Sequence, residues 1–161
     1  VISALRCCPK ITIGRVHGKA VGGGVGLAAA TDYCVASRYS EIKLSELTIG
    51  IGPFVIEPVV TRKIGLSAIS QLSLEANKFF SAEWAQQKGL YTNIYSSVED
   101  LDNQVKLLAE QLCSYNPEAL TRLKETFWEG TSDWDKLLKK RAAISGRLVL
   151  SDFTNKQLKN Y

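Results

Sequence analysis

A cluster of glycines lies between an apolar strand pattern and an alanine-rich helix pattern. Half of the 12 glycines in this 161-residue chain fall between Gly14 and Gly26. Residues 10–17 are rich in β-branched side chains and predict a strand, whereas residues 27–31 predict a helix. Glycines let the backbone approach a ligand closely, and the first amides of a helix are free donors. The unit therefore predicts either a phosphate site or backbone amides that stabilise an oxyanion.

The overall composition is that of a globular chain. Hydrophobic residues make up 45% and charged residues 22% of the sequence, which excludes a disordered or collagen-like protein. No apolar run approaches the roughly 18–20 residues of a membrane helix. The formal net charge of +4 suits an anionic small molecule but is too small and too scattered for nucleic acid. We therefore expect no nucleic-acid partner and no membrane association.

The four cysteines do not form a metal-binding pattern. Cys7 and Cys8 are adjacent, Cys34 and Cys113 are isolated, and His17 is the single histidine. We expect no metal site and reduced thiols, as in a cytoplasmic protein. The chain begins at Val and contains no Met, from which we expect that an upstream segment is missing.

The pattern of elements changes near residue 96. Strands and helices alternate up to about Tyr95, with a break at Gly65 that predicts two consecutive helices. Only helical patterns follow, one of which is predicted to be capped by Ser132 with Asp135 three residues later. This division predicts an α/β core over residues 1–96 and a helical region over residues 97–161.

A dinucleotide site is one alternative for the glycine cluster. Residues 24–29 satisfy the GxGxxA pattern after a strand, and the acidic Glu46 lies twenty positions beyond Gly26. However, Glu46 follows a serine at the edge of a loop instead of ending an apolar strand. A glycine turn without function is a further alternative.

Several motifs in a fixed order carry a more specific signal. Together they strongly resemble the crotonase family of enoyl-CoA hydratases and isomerases, in which a VxG step, a GGG turn, an LSE step and a GLxP-like loop follow one another. In this chain the corresponding segments are Val16-His17-Gly18, Gly22-Gly23-Gly24, Leu44-Ser45-Glu46, Gly50-Ile51-Gly52-Pro53 and the stretch SAEWAQQKGL at residues 81–90. The resemblance implies a crotonase-like ββα spiral core of α/β class, with its N-terminal part absent here. The helical region would then assemble a homotrimer, or a hexamer built as a dimer of trimers.

The resemblance also implies the chemistry. Members of the family bind acyl-CoA thioesters, and the expected reaction needs no metal or redox cofactor. By resemblance, the Gly23 amide stabilises the enolate oxygen, a second amide comes from a loop upstream of this sequence, and Glu46 is the catalytic carboxylate. The other acid of the two-glutamate hydratases is replaced here by Gly26.

Further residues follow from the same resemblance. It places Val21, Gly22, Pro53 and Phe54 against the substrate. We expect supporting roles for the remaining polar candidates: a turn or cap at Asp32, a structural His17, and a solvated helix face at Arg62 and Lys63. We expect Glu57 to start a helix, and a second catalytic acid is the alternative at this position.

Three functions remain open within the family. Residues 22–27 (GGGVGL) together with Leu44-Ser45-Glu46 resemble a branch of hydratases that includes the methylglutaconyl-CoA type, so we favour hydration of an α,β-unsaturated acyl-CoA. An enoyl-CoA isomerase would use the same single glutamate to move a proton between two carbons. A catalytically weak CoA-binding or assembly subunit is the third possibility.

Overall fold

The chain forms a mixed α/β structure in which helices pack around short parallel strands. The computed structural model describes residues 1–159, so Asn160 and Tyr161 of the predicted helical region lie outside the described residues. In chain order the elements are α1 (Ile2–Cys7), β1 (Ile13–Val16), β2 (Ala20–Val21), α2 (Gly23–Ala29), β3 (Tyr33–Ser37), β4 (Ile42–Lys43), a 3₁₀ helix (Glu46–Ile49), α3 (Glu57–Leu74), α4 (Ala82–Gln87), β5 (Asn93–Tyr95), α5 (Val98–Cys113), α6 (Pro117–Phe127), α7 (Trp134–Val149) and α8 (Asp152–Leu158).

The strands form two separate parallel pairings. One sheet has the order β1-β3-β5. In its central strand β3, Tyr33 lies opposite Ile13 of β1, and Val35 lies opposite Asn93 of β5. Strands β2 and β4 form a second, two-stranded sheet in which Val21 lies opposite Lys43. Because β3 is covered on both faces, its apolar sequence has the unbroken character expected of a buried parallel strand.

The core lies between the sheets and helices α2 and α3. Its fully buried side chains include Val25 of α2, Cys34 of β3, and Val60 and Leu72 of α3. The ring of Tyr91 is also buried, and its hydroxyl donates to the carbonyl of Ser40 at 3.2 Å. Buried polar groups thus have partners inside the core, as a close-packed interior requires.

One predicted helix start is wrong, whereas the helix opened by the glycine cluster and the predicted break are confirmed. Helix α2 begins at Gly23 and continues through residues 27–29, because Gly22 makes the turn and the following glycines are already helical. The predicted cap at Ser132 is wrong, since α7 begins at Trp134 after Asp133 with no side-chain cap. Gly65, with φ 78° and ψ 160°, interrupts α3 and separates its two halves.

The carboxylate of Asp32 connects the helical region to the α/β core. It accepts from the Thr12 N–H at 2.7 Å and from the Trp128 indole N–H at 2.8 Å, and it forms an ion pair with Lys124 at 2.8 Å. Both charged side chains are at most 3% exposed. Asp32 is therefore a buried ion-pair residue, which is a larger structural role than the predicted turn or cap.

The last helices of the chain fold back towards the glycine turn and the loop after β4. Arg141 of α7 pairs with Glu57 at 3.0 Å, and Asp135 of α7 pairs with Arg6 at 3.1 Å. Helix α8 contacts the 3₁₀ helix, and Phe153 lies against Gly50. Across residues 1–159, none of the helices has the length and apolar character needed to span a membrane.

Candidate active site

The glycine turn between β2 and α2 brings the backbone of Gly22 against the side chain of Glu46. Gly22 has φ 53°, in the left-handed region that favours glycine. A Cβ atom built on Gly22 would lie 3.0 Å from Oε1 of Glu46. Any side chain at this position would be strained and would also press on the carboxylate, so two independent reasons require glycine here.

Gly23 is the first residue of helix α2, and its N–H has no intrahelical acceptor available. Within residues 1–159 no backbone carbonyl accepts from this amide, whereas the N–H groups of Val25 and Gly26 both bond to the Gly22 carbonyl. Gly23 is exposed, and a Cβ built on it would meet nothing within 4 Å. The amide therefore remains able to donate to a ligand, with no side chain in the way.

Glu46 begins the 3₁₀ helix that follows β4 after two residues, and backbone hydrogen bonds hold this segment beside the turn. The N–H of Gly22 donates to the Lys43 carbonyl at 2.9 Å, and the N–H of Ala20 donates to the Glu41 carbonyl at 2.9 Å. These bonds join the strand that precedes the turn to the strand that precedes Glu46. The two site elements are consequently positioned by one short parallel ladder.

The carboxylate of Glu46 is in an unusual electrostatic environment. Its Oε2 atom is buried and has no hydrogen-bond partner among the described residues. Burial raises the pKa of Glu46 above its ordinary value of 4.5, and a hydrogen bond with its own backbone N–H offsets part of this effect. A carboxyl group that is half-buried, incompletely partnered and raised in pKa has the properties of a general base or acid.

The space for a second carboxylate at position 26 is filled. A Cβ atom built on Gly26 would lie 2.3 Å from Cγ2 and 2.7 Å from Cβ of Ile56. Ile56 is itself only 8% exposed, so it has little room to move away. Position 26 therefore has no acid in the sequence and also no space for one, because Ile56 occupies the volume that the side chain of the acid would need.

Two clefts adjoin these residues. The larger, about 650 Å³, opens at Gly23 and runs between α1, residues 55–56 and α7, with a lining that includes Leu27, Val55, Ile56, Leu138 and Ala142. The smaller, about 330 Å³, is lined by Leu47, Pro53, Phe54 and the half-buried ion pair between Glu57 and Arg141. The structure thus places Gly23 on one cleft and the predicted substrate residues Pro53 and Phe54 on the other.

Three other predicted residues make local contacts. Val21 is exposed, and the register opposes it to Lys43. Glu57 begins α3 as expected, and it also accepts from the Thr61 hydroxyl. The Nδ1 atom of His17 lies 3.3 Å from the Ser37 hydroxyl, which fits a structural role.

Three residues that shape this region were not among the predicted site residues. Ile56 gave no signal, because its contact with Gly26 depends on the tertiary approach of α3 to α2. Leu138 and Ala142 stand four residues apart on α7, a spacing that places them on one helix face. That spacing predicts an apolar helix face but does not indicate that this face lies near Gly23.

No group of three or more His, Cys, Asp or Glu side chains within residues 1–159 is arranged to hold a metal ion.

Comparisons with known proteins show the family and the fold. A family model described as enoyl-CoA hydratase/isomerase matches residues 1–159. The chain is 33% identical over 127 residues to the peroxisomal Delta(3,5)-Delta(2,4)-dienoyl-CoA isomerase of Arabidopsis thaliana, covering 76% of this chain and 44% of that protein. It is 31% identical over 142 residues to the enoyl-CoA hydratase AKT6-1 of Alternaria alternata, covering 84% of this chain and 46% of that protein. The chain thus spans less than half the length of these two relatives.

Solved structures show the same fold. The enoyl-CoA hydratase from Bacillus halodurans superposes with a TM-score of 0.91 at 23% identity, over 99% of this chain and 64% of that chain. An enoyl-CoA hydratase from Mycobacterium avium superposes with a TM-score of 0.85 at 25% identity, over 98% of this chain and 61% of that chain. The predicted crotonase-like α/β core is thereby confirmed.

Proposed function

Because the chain belongs to the enoyl-CoA hydratase/isomerase family, we propose that it carries the proton-transferring part of an acyl-CoA site. In this proposal Glu46 moves the proton, and the N–H of Gly23 donates to the enolate oxygen of the thioester. The observation that carries the proposal is the buried Oε2 of Glu46, which lies beside the glycine turn and has no hydrogen-bond partner within residues 1–159. A second amide donor would come from a segment outside this sequence.

The proposed hydration uses Glu46 twice. Its carboxylate takes a proton from water while the water oxygen bonds to the β-carbon and the electron pair moves to the thioester oxygen. The protonated Glu46 then returns a proton to the α-carbon, and the thioester carbonyl reforms. Preorganised donation by one backbone N–H to such an oxyanion is worth about 3 kcal/mol in comparable sites.

Hydration of an α,β-unsaturated acyl-CoA is the first candidate reaction. The GGGVGL turn and the Leu44-Ser45-Glu46 step occur together, which is the signature that favours the hydratase branch, and methylglutaconyl-CoA is the specific substrate proposed from that resemblance. Relatives named as an enoyl-CoA hydratase and as a carnitinyl-CoA dehydratase support addition or removal of water.

Isomerisation is the second candidate, and the contact between Gly26 and Ile56 favours it. This contact leaves no space for the second acid that would help to hold a water molecule. A single carboxylate is sufficient to remove a proton from one carbon of a 3-enoyl-CoA and return it two carbons further along. The relative named as a dienoyl-CoA isomerase is consistent with this reaction.

One set of assays tests the proposal and separates these reactions. The full chain is incubated with crotonyl-CoA, 3-methylglutaconyl-CoA and a 3-enoyl-CoA, and products are separated by chromatography. Hydration gives a 3-hydroxyacyl product, whereas isomerisation gives a 2-enoyl product. We expect Glu46→Gln to lose about 10²–10⁴-fold in turnover, and the exposed Glu75→Gln to retain wild-type activity as the matched control.

Wild-type turnover in Glu46→Gln would overturn the proposed role of this residue. Binding of CoA thioesters by calorimetry, with no turnover of any substrate, would instead support the weak CoA-binding subunit.

We also propose that the helical region assembles the protein as a homotrimer or a dimer of trimers. Large apolar side chains on these helices are exposed, including Leu107 (55%), Leu150 (78%) and Phe153 (56%). Such a surface is typical of an interface in a soluble protein. Light scattering of the full chain measures the mass directly, and a monomer would contradict this proposal.

A further inference from the structure

A polar cleft of about 360 Å³ lies between the end of α2, the first half of α3 and the end of α6. We propose that this cleft binds a small molecule carrying a phosphate group, which Arg62 and Lys63 hold, at a site separate from the glycine turn. Its lining includes Ala29, Arg62, Lys63, Phe127 and Trp128.

The charges around the cleft are unbalanced. The Asp32 carboxylate forms its buried ion pair with Lys124, and it also attracts the charges of Arg62 and Lys63. One negative charge therefore faces three positive charges, which leaves an excess of two positive charges. A phosphate monoester carries about 1.5–2 negative charges at pH 7 and complements that excess.

The carboxylate of Asp32 has no capacity left for the two remaining cations. Although Asp32 lines the cleft, its side chain is only 2% exposed. Its Oδ1 atom accepts from the Trp128 indole N–H, and its Oδ2 atom accepts from the N–H and the hydroxyl of Thr12 and pairs with Lys124. Within residues 1–159, no carboxylate forms an ion pair with either cation of the cleft.

Both of these cations are held in place and still have N–H groups to donate. The Cζ atom of Arg62 lies 4.8 Å from the centroid of the Trp128 ring, and stacking of this kind leaves the edge of the guanidinium free. The Nζ atom of Lys63 donates to the backbone carbonyl of Asp32 at 3.1 Å, which uses one of its three N–H groups. A guanidinium fork beside an ammonium group is a suitable donor set for phosphate oxygens.

The environment of Lys63 differs from the solvated helix face expected from the sequence. Arg62 is exposed as expected, whereas Lys63 is half-buried. Burial lowers the pKa of both groups, and the attraction of Asp32 offsets this effect only in part. Removing a cation from water without a partner of opposite charge costs free energy, and a bound anion would offset that cost.

Phe127 gives the cleft an apolar wall, and its side chain is 43% exposed. The volume of about 360 Å³ lies within the usual range for small-ligand pockets, about 300–1,000 Å³. A phosphate group alone would leave most of this space empty, so the ligand should also carry an apolar or aromatic part that packs against Phe127.

The cleft lies at the opposite end of α2 from the candidate active site. Gly23 and Ala29 are the first and last residues of α2, which places them about 9 Å apart along the helix. Phosphate binding at this cleft consequently does not require the acyl-CoA chemistry proposed above.

The test is calorimetric titration of the full chain with inorganic phosphate and with phenyl phosphate, at low ionic strength because salt screens exposed charges. We expect saturable binding of both probes, and tighter binding of phenyl phosphate. Arg62→Gln and Lys63→Gln should each weaken both by about tenfold or more, since each variant loses charge-assisted hydrogen bonds. Phe127→Ala should weaken the binding of phenyl phosphate and leave that of inorganic phosphate unchanged.

Lys88→Gln is the matched control. It also removes one positive charge from a lysine that lies over an aromatic ring, 6.0 Å from the centroid of Trp84, and Lys88 does not line the cleft. Its affinity for phosphate should equal that of the wild type, and an equal loss in this variant would overturn the proposal. Thermal unfolding checks each fold, and the comparison of the two probes on Phe127→Ala decides the question if the variants of Arg62 and Lys63 do not fold.

Three other outcomes would also overturn the proposal. The first is the absence of saturable phosphate binding by the wild type. The second is competition between phosphate and CoA, because phosphate would then occupy the acyl-CoA site. The third is a lower mass of Arg62→Gln in light scattering with no phosphate binding by the wild type, which would assign the cations to a carboxylate of a second copy of the chain.

Discussion

Replacing Gly26 with alanine tests the contact that excludes a second acid from the site. The added methyl group would lie 2.3 Å from Cγ2 of Ile56, a distance that requires a shift of one of the two helices. Gly24→Ala is the matched control, because Gly24 belongs to the same helix and its Cβ would meet only the Ala20 methyl at 3.7 Å. The two variants therefore add the same atom to one helix in different surroundings.

The magnitudes follow from two opposing effects. Alanine in place of glycine within a helix stabilises by about 0.5–1 kcal/mol, because the unfolded chain loses conformational freedom. Overpacking of a buried position typically costs about 1–3 kcal/mol. We expect Gly24→Ala to be neutral or stabilising and Gly26→Ala to be destabilised by up to about 2 kcal/mol.

Urea unfolding followed by circular dichroism at fixed protein concentration measures both variants. A double-mutant cycle with Ile56→Ala isolates the contact, since truncation of Ile56 removes the group that the new methyl strikes. The coupling free energy between the two positions should be about 1–3 kcal/mol. Equal stability of the two glycine variants, or a coupling near zero, would refute the conclusion that Ile56 occupies the volume of the second acid.

Four further results are expected. Lys124→Met leaves the buried charge of Asp32 without its ion pair and should cost about 3–5 kcal/mol in unfolding free energy. Burial raises the pKa of Asp32, but Lys124 and the hydrogen bonds lower it by more, so this pKa lies below its ordinary value of 3.8. The free energy of unfolding should therefore fall as the pH drops below about 4, and it should fall less in Asp32→Asn. Glu46 must be ionised to act as a base, so its raised pKa should place the acidic limb of kcat/KM above pH 4.5. Burial raises the pKa of Cys34 to about 11, so a thiol reagent should modify the exposed Cys113 in the folded protein and Cys34 only on unfolding.

The strand–glycine–helix unit and the alternation of strands and helices could be predicted from the sequence. Glycine, β-branched residues and apolar spacing act over a few residues, so local rules were sufficient for β3 and for the break at Gly65. The opening of a helix by the glycine cluster could also be predicted, whereas its exact first residue, Gly23, could not, because glycine is a poor helix former.

Tertiary contacts explain the features that could not be predicted from the sequence. No local pattern indicates that Lys124 lies against Asp32, ninety-two positions earlier in the chain, or that Ile56 fills the space beside Gly26. The proximity of Glu46 to the glycine turn was implied by resemblance and not by spacing, because it depends on the pairing of β2 with β4. The oligomeric state, the cytoplasmic location and the absence of a cofactor stay predictions.

The two-stranded ladder of β2 and β4 has a consequence for motion in the site. The donors of its hydrogen bonds, Ala20 and Gly22, lie just before Gly23 in the chain, and the acceptors lie just before Glu46. A drift of the Glu46 backbone away from Gly23 would have to break those bonds, whereas helix α7 takes part in none of them. If Glu46 and Gly23 act as proposed, motion of α7 should therefore leave the rate of proton transfer unchanged.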